Sequence, residues 1–400
     1  LIHQIKDGEE PFWKDGSPVP YEQLMLHLRS HVVAEDKPDK VRAVFGAPKL
    51  LLHSELMFVW PLQATYQNTK AGKLLWGREI GRGGWNKIIA EMSGGNKSTY
   101  ISMDWSQFDR RLLHELIRDV HGIWRSYFDF SEYEATTLFP KNEADPERIE
   151  RLWRWMTSSI TNTSIQLPNG EVWGWRHNGF ASGYQQTQLM DTFCNMIMTY
   201  TTLSRLGINI EGDNFNALFQ GDDGILSFPE PVFQLFGNGF LAQMKEVAEQ
   251  YFNAKLSDDK SSIGSHPNSL YVLGYNNKYG KAVREDSDLL SHLMFPERPQ
   301  DYGRLAASAL GLNYASLGCS QRFYDLTKSI FEDIQNRGYD ADFYALKWMK
   351  RAGMDEILDQ IKESRVLSIM ELRALGRNSV LMTERERNRN WPLQVEGLRG

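Results

Sequence analysis

Two short acidic clusters carry the chemistry of this chain: Asp104-Trp105-Ser106-Gln107-Phe108-Asp109, and, more than a hundred residues later, Gln220-Gly221-Asp222-Asp223-Gly224. Carboxylate oxygens are the ligands that hard divalent cations take, and carboxylates delivered from two separated segments can hold such ions for phosphoryl transfer. Taken singly, each cluster has a plainer meaning. An Asp at a strand end is most often a cap or turn residue, and Asp-Asp between glycines is most often a hairpin turn. What the pair means depends on the elements that position it.

Thr99-Tyr100-Ile101-Ser102-Met103 predicts a strand running into Asp104, and Leu113, Leu116, Ile117, Val120 and Trp124 then recur at helical spacing. Ala217-Leu218-Phe219-Gln220 and Ile225-Leu226-Ser227-Phe228 flank the second cluster as strand, turn, strand, which puts both Asp side chains at a hairpin tip. Residues 131–180 have mixed character, broken by Pro140, Pro146 and Pro168-Asn169-Gly170, with a short strand at Val172-Trp173-Gly174-Trp175; they read as an insertion. After Ala181-Ser182-Gly183, the residues Leu189, Met190, Phe193, Ile197 and Tyr200 predict a long helix ending near Gly207. Leu241, Met244, Val247, Ala248 and Tyr251 predict another, followed by Ser257-Asp258-Asp259-Lys260 and a strand-like apolar run, Leu270 to Tyr275. From about residue 300 the pattern is helical, with Leu326, Ile330 and Ile334 on one face and Phe343, Leu346 and Met349 on another.

A chain of 400 residues with 41% apolar and 12% aromatic content folds, with room for two or three subdomains. No run approaches the roughly 18 apolar residues of a membrane span, and Leu1-Ile2-His3-Gln4 has no signal-peptide pattern, so a soluble protein is expected. The start at Leu1 rather than Met predicts a piece of a longer protein. Cys194 and Cys319 are too few for a disulfide framework or a zinc site. A net charge of −6 argues mildly against a nucleic-acid partner, but the charges are unevenly spread. Lys37, Lys40, Arg42, Lys49, Lys70, Lys73, Arg78, Arg82, Lys87 and Lys97 face only Asp39, Glu55, Glu79 and Glu91 in the same stretch. That stretch either lines a channel for phosphates or forms an ordinary solvated face, and charge alone favours the second.

Taken in order over roughly residues 40–280, these elements resemble the palm of the viral RNA-dependent RNA polymerases, and the wording is closest to the partitivirus-like group of double-stranded RNA viruses. Asp104-x4-Asp109 resembles the first palm motif, Ser182-Gly183-x3-Thr187 with Asp191 and Asn195 the second, and Gly221-Asp222-Asp223 the third. Lys260 resembles the fourth, Leu273-Gly274-Tyr275 the fifth, and Lys40-Val41-Arg42 the basic fingers motif. The resemblance implies an α+β right-hand polymerase with palm, fingers and thumb subdomains and an antiparallel palm sheet flanked by helices. It implies fingers at 1–98, truncated at the N-terminus, and palm at 99–130. A fingers insertion follows at 131–180, palm again at 181–290 and a helical thumb at 291–400.

The implied activity is RNA-templated RNA synthesis from nucleoside triphosphates, for replication and transcription of a viral RNA genome. By resemblance, Asp104 and Asp222 bridge two Mg2+ ions, with Asp223 beside them and Mn2+ as a substitute metal. Asp109 and Thr187 sit near the incoming ribose, where a 2′-hydroxyl can be read as donor and acceptor. Ser182 and Gly183 form a flexible loop beside template and nucleotide, Arg42 holds the triphosphate, and Lys260 protonates the pyrophosphate as general acid. A lysine in a polar loop is otherwise simply solvated. Where many of these enzymes have Asn four residues after the motif threonine, this chain has Asp191, with Asn195 one helical turn on, as in the partitivirus-like pattern; either can be the residue that joins Asp109 at the ribose. The implied partners are RNA template and product, nucleoside triphosphates and a viral capsid protein, with no membrane. The implied setting is the host cytoplasm within a virus or replication particle.

Gly94-Gly95-Asn96-Lys97-Ser98-Thr99 is not a phosphate-binding loop, because Glu91 and Asn96 stand where glycines are needed. Gly77, Gly81, Gly83 and Gly84 around Arg78 and Arg82 suit close approach to a nucleic-acid backbone or a plain flexible loop equally well. No His-Glu-x-x-His or Gly-x-Ser-x-Gly pattern supports a hydrolase. Arg385-Glu386-Arg387-Asn388-Arg389 reads as a solvated helix end before it reads as a contact to product RNA. Two competing functions remain at this stage: a reverse transcriptase, disfavoured by Gln220 and Ser182-Gly183, and a non-catalytic RNA-binding or capsid-associated protein, disfavoured because bare carboxylates repel phosphate.

Overall fold

The computed structural model describes residues 1–31, 33, 35, 40–68, 72–78, 80, 83–132, 144–296, 299–343 and 365–376. The chain divides into two units, the first built from Leu1–Trp76 and Asn96–Ser265, the second from Gly77–Gly95 and the described part of His266–Leu381. In the first unit the main elements are β1 (Leu24–His31), β2 (Lys40–Gly46), α1 (Lys49–Asn68), β3 (Thr99–Met103), α2 (His114–Arg125), α3 (Pro146–Asn162), β4 (Ile165–Gln166), β5 (Val172–Trp173), α4 (Thr187–Arg205), β6 (Asn216–Gln220), β7 (Asp223–Phe228), α5 (Gly239–Phe252) and β8 (Ser262–Gly264).

All five residues of β3 are buried, as expected of a strand with neighbours on both edges and layers on both faces. It sits second in a four-stranded sheet of order β8-β3-β7-β6 in which every pairing is antiparallel. α4 packs on α5 and against β6, and Leu189, Met190, Met198, Phe219, Leu226 and Phe228 join one buried core with Ile101 and Met103 of β3. A second sheet has the order β2-β1-β4-β5; β1 and β4 run parallel and the other pairs antiparallel.

The structure corrects the reading of residues 131–180 as broken by proline at 146. Pro146 opens α3 instead: the Asp145 side chain accepts the Arg148 amide at 3.1 Å, and proline in the first turn has no amide hydrogen to waste. The apolar run at 270–275 is also not one strand. Leu273 and Gly274 both have positive φ, at 53° and 81°, and turn the chain between two short strands, β9 (Tyr271–Val272) and β10 (Tyr275–Lys278).

These two strands belong to the second unit, where β11 (Lys281–Val283) completes an antiparallel sheet. Its helices α6 (Tyr302–Ala315) and α7 (Gln321–Asn336) pack together through Ala306, Leu310, Phe331 and Ile334. Leu326, expected on the inner face of α7, is 41% exposed; the buried stripe runs through Phe323, Thr327, Phe331 and Ile334. Leu346, Met349, Arg385, Arg387 and Arg389 lie outside the described residues, as do Pro140, Lys37, Lys70, Glu79, Gly81 and Arg82.

Candidate active site

Strand register brings the acidic clusters together. Gly224 of β7 lies opposite Met103 of β3, so Asp104 just beyond Met103 and Asp222 just before β7 emerge at the same end of the sheet. On the other side of β3, Ser262 of β8 lies opposite Ser102, which carries Lys260 to the same end. There the Lys260 Nζ donates to Asp104 Oδ2 at 2.9 Å. The 257–261 segment wraps the aspartate backbone: the Ser257 amide donates to the Asp104 carbonyl at 2.8 Å, and the Asp104 amide donates to Ser261 Oγ at 3.3 Å.

The turn between β6 and β7 is fixed from below by α4. Gly221, at φ +61°, donates its amide to Thr192 Oγ1 at 2.8 Å. Asn195 is fully buried, and its Nδ2 donates to the carbonyls of Gly221 and Asp223 at 3.0 and 3.2 Å. Its Oδ1 accepts from Trp105 Nε1 at 2.8 Å and from Thr199 Oγ1 at 3.1 Å. One amide thus ties the residue after Asp104 to both sides of Asp222. Thr192 was not singled out by sequence; its position three residues before Asn195, on the same helical face, was the available signal. Asn195→Ala removes four hydrogen bonds and leaves backbone carbonyls unpaired at about 1–3 kcal/mol each. The melting temperature is expected to fall by several degrees; a variant that melts like the wild type would remove this role.

Asp191 lies one helical turn before Asn195 and faces the acids. It is buried, its Oδ1 has no hydrogen-bond partner, and its carboxyl is pushed well up by burial and then by the charges of Asp109 and Asp222. Asp109, on the short helix Phe108–Arg111, is pushed up to about 6 by burial and by Asp222, with Arg42 and Arg110 pulling the other way. Solvent reaches Asp222 at the turn tip, yet protein fills most of the space around it. Its carboxyl is raised first by that loss of water and then by Asp104, against its own backbone hydrogen bond, Lys260 and Arg42. Asp104, Asp109, Asp191 and Asp222 therefore share one electrostatic neighbourhood with Arg42 and Lys260. Of the two residues that the resemblance left open, Asp191 is the one whose carboxyl is raised by the Asp109 charge, while Asn195 bonds to the turn.

An unpartnered buried carboxylate oxygen among mutually repelling acids is a donor set that a hard divalent cation fits. Among the described residues, no three His, Cys, Asp or Glu side chains are already gathered into a metal cage; Asp104 is engaged by Lys260 instead. Because Asp109 and Asp222 titrate higher folded than unfolded, protonation favours the fold. That stabilisation is complete below the unfolded carboxylate range near pH 4 and is lost as pH rises through about 6 for Asp109. Mg2+ held by these acids would offset the loss, and is then expected to raise the melting temperature by a few degrees at about pH 7.5 and by less at about pH 5. Equal shifts in thermal melts at the two pH values would count against the acids as the metal site.

The loop before α4 is held in place rather than loose. Thr187 Oγ1 donates to the carbonyls of Ala181 and Tyr184 at 3.0 and 2.9 Å, so its hydroxyl is used within the loop, while Ser182 is exposed. The Phe180 amide donates to the Asp109 carbonyl at 2.7 Å, tying this loop to the first acidic cluster. Gly183 lies against the end of β2, the strand on which exposed Arg42 sits: a Cβ there would run into the Phe45 carbonyl and come within 3.4 Å of the Ala47 nitrogen. Asp223 is the first residue of β7, opposite Gln220. Elsewhere in the basic stretch, Arg78 is paired with Glu91 at 2.9 Å and Lys97 donates to the Asn214 carbonyl, so those two cations serve the fold.

The family described as viral RNA-dependent RNA polymerase matches residues 34–297 of this chain. The RNA-directed RNA polymerase of White clover cryptic virus 1 is 27% identical over 381 residues, covering 92% of this chain and 61% of that protein. That of Atkinsonella hypoxylon virus is 27% identical over 376 residues, covering 83% and 55%. The chain thus spans rather less than two thirds of the length of these relatives. Among solved structures, the RNA-dependent RNA polymerase of a human picobirnavirus superposes with a TM-score of 0.57 at 15% identity, over 92% of this chain and 64% of that one. Its insertion-loop deletion mutant gives 0.58 at 14%, over 90% and 66%. The likeness shows a shared right-hand polymerase fold.

Proposed function

Because the chain belongs to the viral RNA-dependent RNA polymerase family, we propose that it performs RNA-templated RNA synthesis, transferring nucleotides from nucleoside triphosphates to an RNA 3′-hydroxyl. The observation that carries this reading is the convergence of Asp104, Asp109, Asp191 and Asp222 at one end of the sheet, within electrostatic reach of Arg42 and Lys260. Asp104 and Asp222, with Asp223 beside them, would hold two Mg2+ ions, for which Mn2+ is a substitute. Bound there, the metals would lower the pKa of the attacking 3′-hydroxyl and stabilise the charge that develops on the pyrophosphate leaving group.

The chain's own residues supply the rest. Arg42 offers a planar fork of donors for triphosphate oxygens from an exposed strand position. Lys260 carries a proton next to Asp104 and is the candidate general acid for the pyrophosphate. Asp109 and Asp191 form the acidic wall at which a ribose 2′-hydroxyl would be read, and Ser182, Gly183 and Thr187 present the adjoining loop. The subdomain bounds given above belong to this proposal. With viral relatives on both counts, the reaction would run inside a host cell, and a capsid protein remains a partner by resemblance alone. Among the described residues no helix is long and apolar enough to cross a membrane.

The test is incorporation of labelled ribonucleotides and, in parallel reactions, of labelled deoxyribonucleotides on a single-stranded RNA template with and without Mg2+. Metal-dependent product that ribonuclease degrades and deoxyribonuclease leaves intact is the expected result. A DNA product would make the chain a reverse transcriptase, and metal-independent RNA binding with no product would make it a binding protein.

A further inference from the structure

Helix α1 carries a carboxylate, Glu55, with no ion-pair partner among the described residues. Glu55 is fully buried, and burial pushes its carboxyl up to about 7. Its bonds go to three N–H groups on one short segment: Gln186 Nε2 at 2.8 Å, the Gln185 amide at 3.3 Å and the Gln186 amide at 3.5 Å. Gln186 is itself fully buried, with Oε1 at 2.6 Å from His121 Nε2 of α2 and Nε2 also 3.6 Å from Met156 Sδ of α3. Since the amide oxygen can only accept, His121 carries its proton on Nε2. Burial holds that imidazole down, at about 4, so it is neutral. Tyr184, the other titratable group near Glu55, donates its hydroxyl to the Ile160 carbonyl at 3.2 Å and is pushed up by burial. Among the described residues, no positive charge therefore repays the burial of Glu55.

A buried acid without a cation is a costly way to fill space, and a hydrocarbon side chain would pack the same volume more favourably. What Glu55 does provide is an acceptor for the backbone between Tyr184 and Thr187. That backbone is the end of the loop that presents Ser182 and Gly183 and the start of the helix that bears Asp191. The other side of the loop rests, through Gly183, on the Phe45–Ala47 backbone at the end of the Arg42 strand. β2 and α1 are consecutive in the chain, so one stretch grips the loop at two points, by a carbonyl at Gly183 and by a carboxylate at Gln185 and Gln186.

We propose that Glu55 is a positioning residue for nucleotide selection: it locks the 182–187 loop to the strand that carries Arg42, and so sets where an incoming nucleotide's sugar lies relative to Asp109. This rests on the polymerase reading above. The Phe180–Asp109 backbone bond gives the loop a direct mechanical tie to Asp109, so loosening the loop alters sugar discrimination before it alters turnover.

The conservative variant Glu55→Gln keeps size and shape but turns one acceptor oxygen into an NH2 that faces N–H donors. Two measurements on the full chain judge it. Hydrogen exchange of amides in residues 183–188 is expected to rise about 10-fold or more, with residues 146–162 unchanged. In steady-state incorporation, KM for ribonucleotides is expected to rise about 10-fold with kcat down less than about 3-fold, and the preference for ribo- over deoxyribonucleotides to fall about 10-fold. Glu55→Asp, which keeps the charge but withdraws it by one methylene, should lie between, and it replaces Glu55→Gln in both assays if that variant does not fold. Unchanged exchange at 183–188 overturns the clamp; faster exchange with KM and sugar preference at wild-type values overturns the link to selection. Absence of metal-dependent incorporation by the wild-type chain would instead sink the polymerase reading, and the exchange measurement would still decide whether the clamp exists.

Discussion

Asp222→Asn is expected to abolish nucleotide incorporation, by on the order of 10³-fold or more, while leaving the chain as stable as the wild type or more so. On the proposed function the loss follows from removing a carboxylate that would be worth several kcal/mol to a metal-stabilised transition state. The gain follows from the other acids. Asp109 and Asp191 are both pushed up in part by the Asp222 charge, so an isosteric neutral amide relieves repulsion that the metal-free fold carries. The one backbone bond of that carboxylate is to its own residue, and an Asn side-chain oxygen can accept it equally; the rest of the turn is held independently, the Gly221 amide by Thr192 and the Gly221 and Asp223 carbonyls by Asn195. Single-turnover incorporation and a thermal melt at about pH 7.5 without metal read the two effects. A variant that keeps more than about a tenth of the wild-type rate would remove Asp222 from the chemistry, and one that melts several degrees lower would show that the carboxylate holds the turn.

The second acidic cluster could be read from the sequence because glycines between two apolar runs mark a hairpin, and the first because Thr99–Met103 reads as a strand that ends at Asp104. That the clusters meet could not. The meeting depends on Gly224 lying opposite Met103 and Ser262 opposite Ser102, and register is set by packing between strands that are far apart in the chain. The resemblance assigned both Asp191 and Asn195 to the site, and, four residues apart, they share a helical face; only the bonds of Asn195 to the turn separate scaffold from acid. Pro146 looked like a break because a proline stops a helix when it falls inside one, whereas the preceding Asp145 made it a first-turn residue. Glu55 was the least legible. In sequence it is one acid opposing many lysines and arginines, counted as surface charge; Leu51, Phe58, Val59 and Leu62, at helical spacing around it and buried, put it on the inner face of α1, but no spacing tells that it meets a loop 130 residues away.

Gly183→Ala should be the most damaging change outside the acids, lowering incorporation by about 100-fold and stability by about 1–3 kcal/mol. The added methyl would meet the Phe45 carbonyl and lie 3.0 Å from its carbon and 3.4 Å from the Ala47 nitrogen. All three are backbone atoms, so no rotamer change can make room; either the loop or the strand end must move, and the strand carries Arg42. Gly221 is the instructive contrast. Its φ of +61° is what asks for glycine, and a Cβ there would have nothing within 4 Å, so Gly221→Ala strains the backbone by about 1–2 kcal/mol without pushing any neighbour. The two substitutions thus separate strain from displacement. If the loop must sit on the β2 strand for the reaction, Gly183→Ala loses far more activity than Gly221→Ala at a comparable cost in melting temperature. Equal losses of activity would mean that the loop's contact with the strand matters only to the fold.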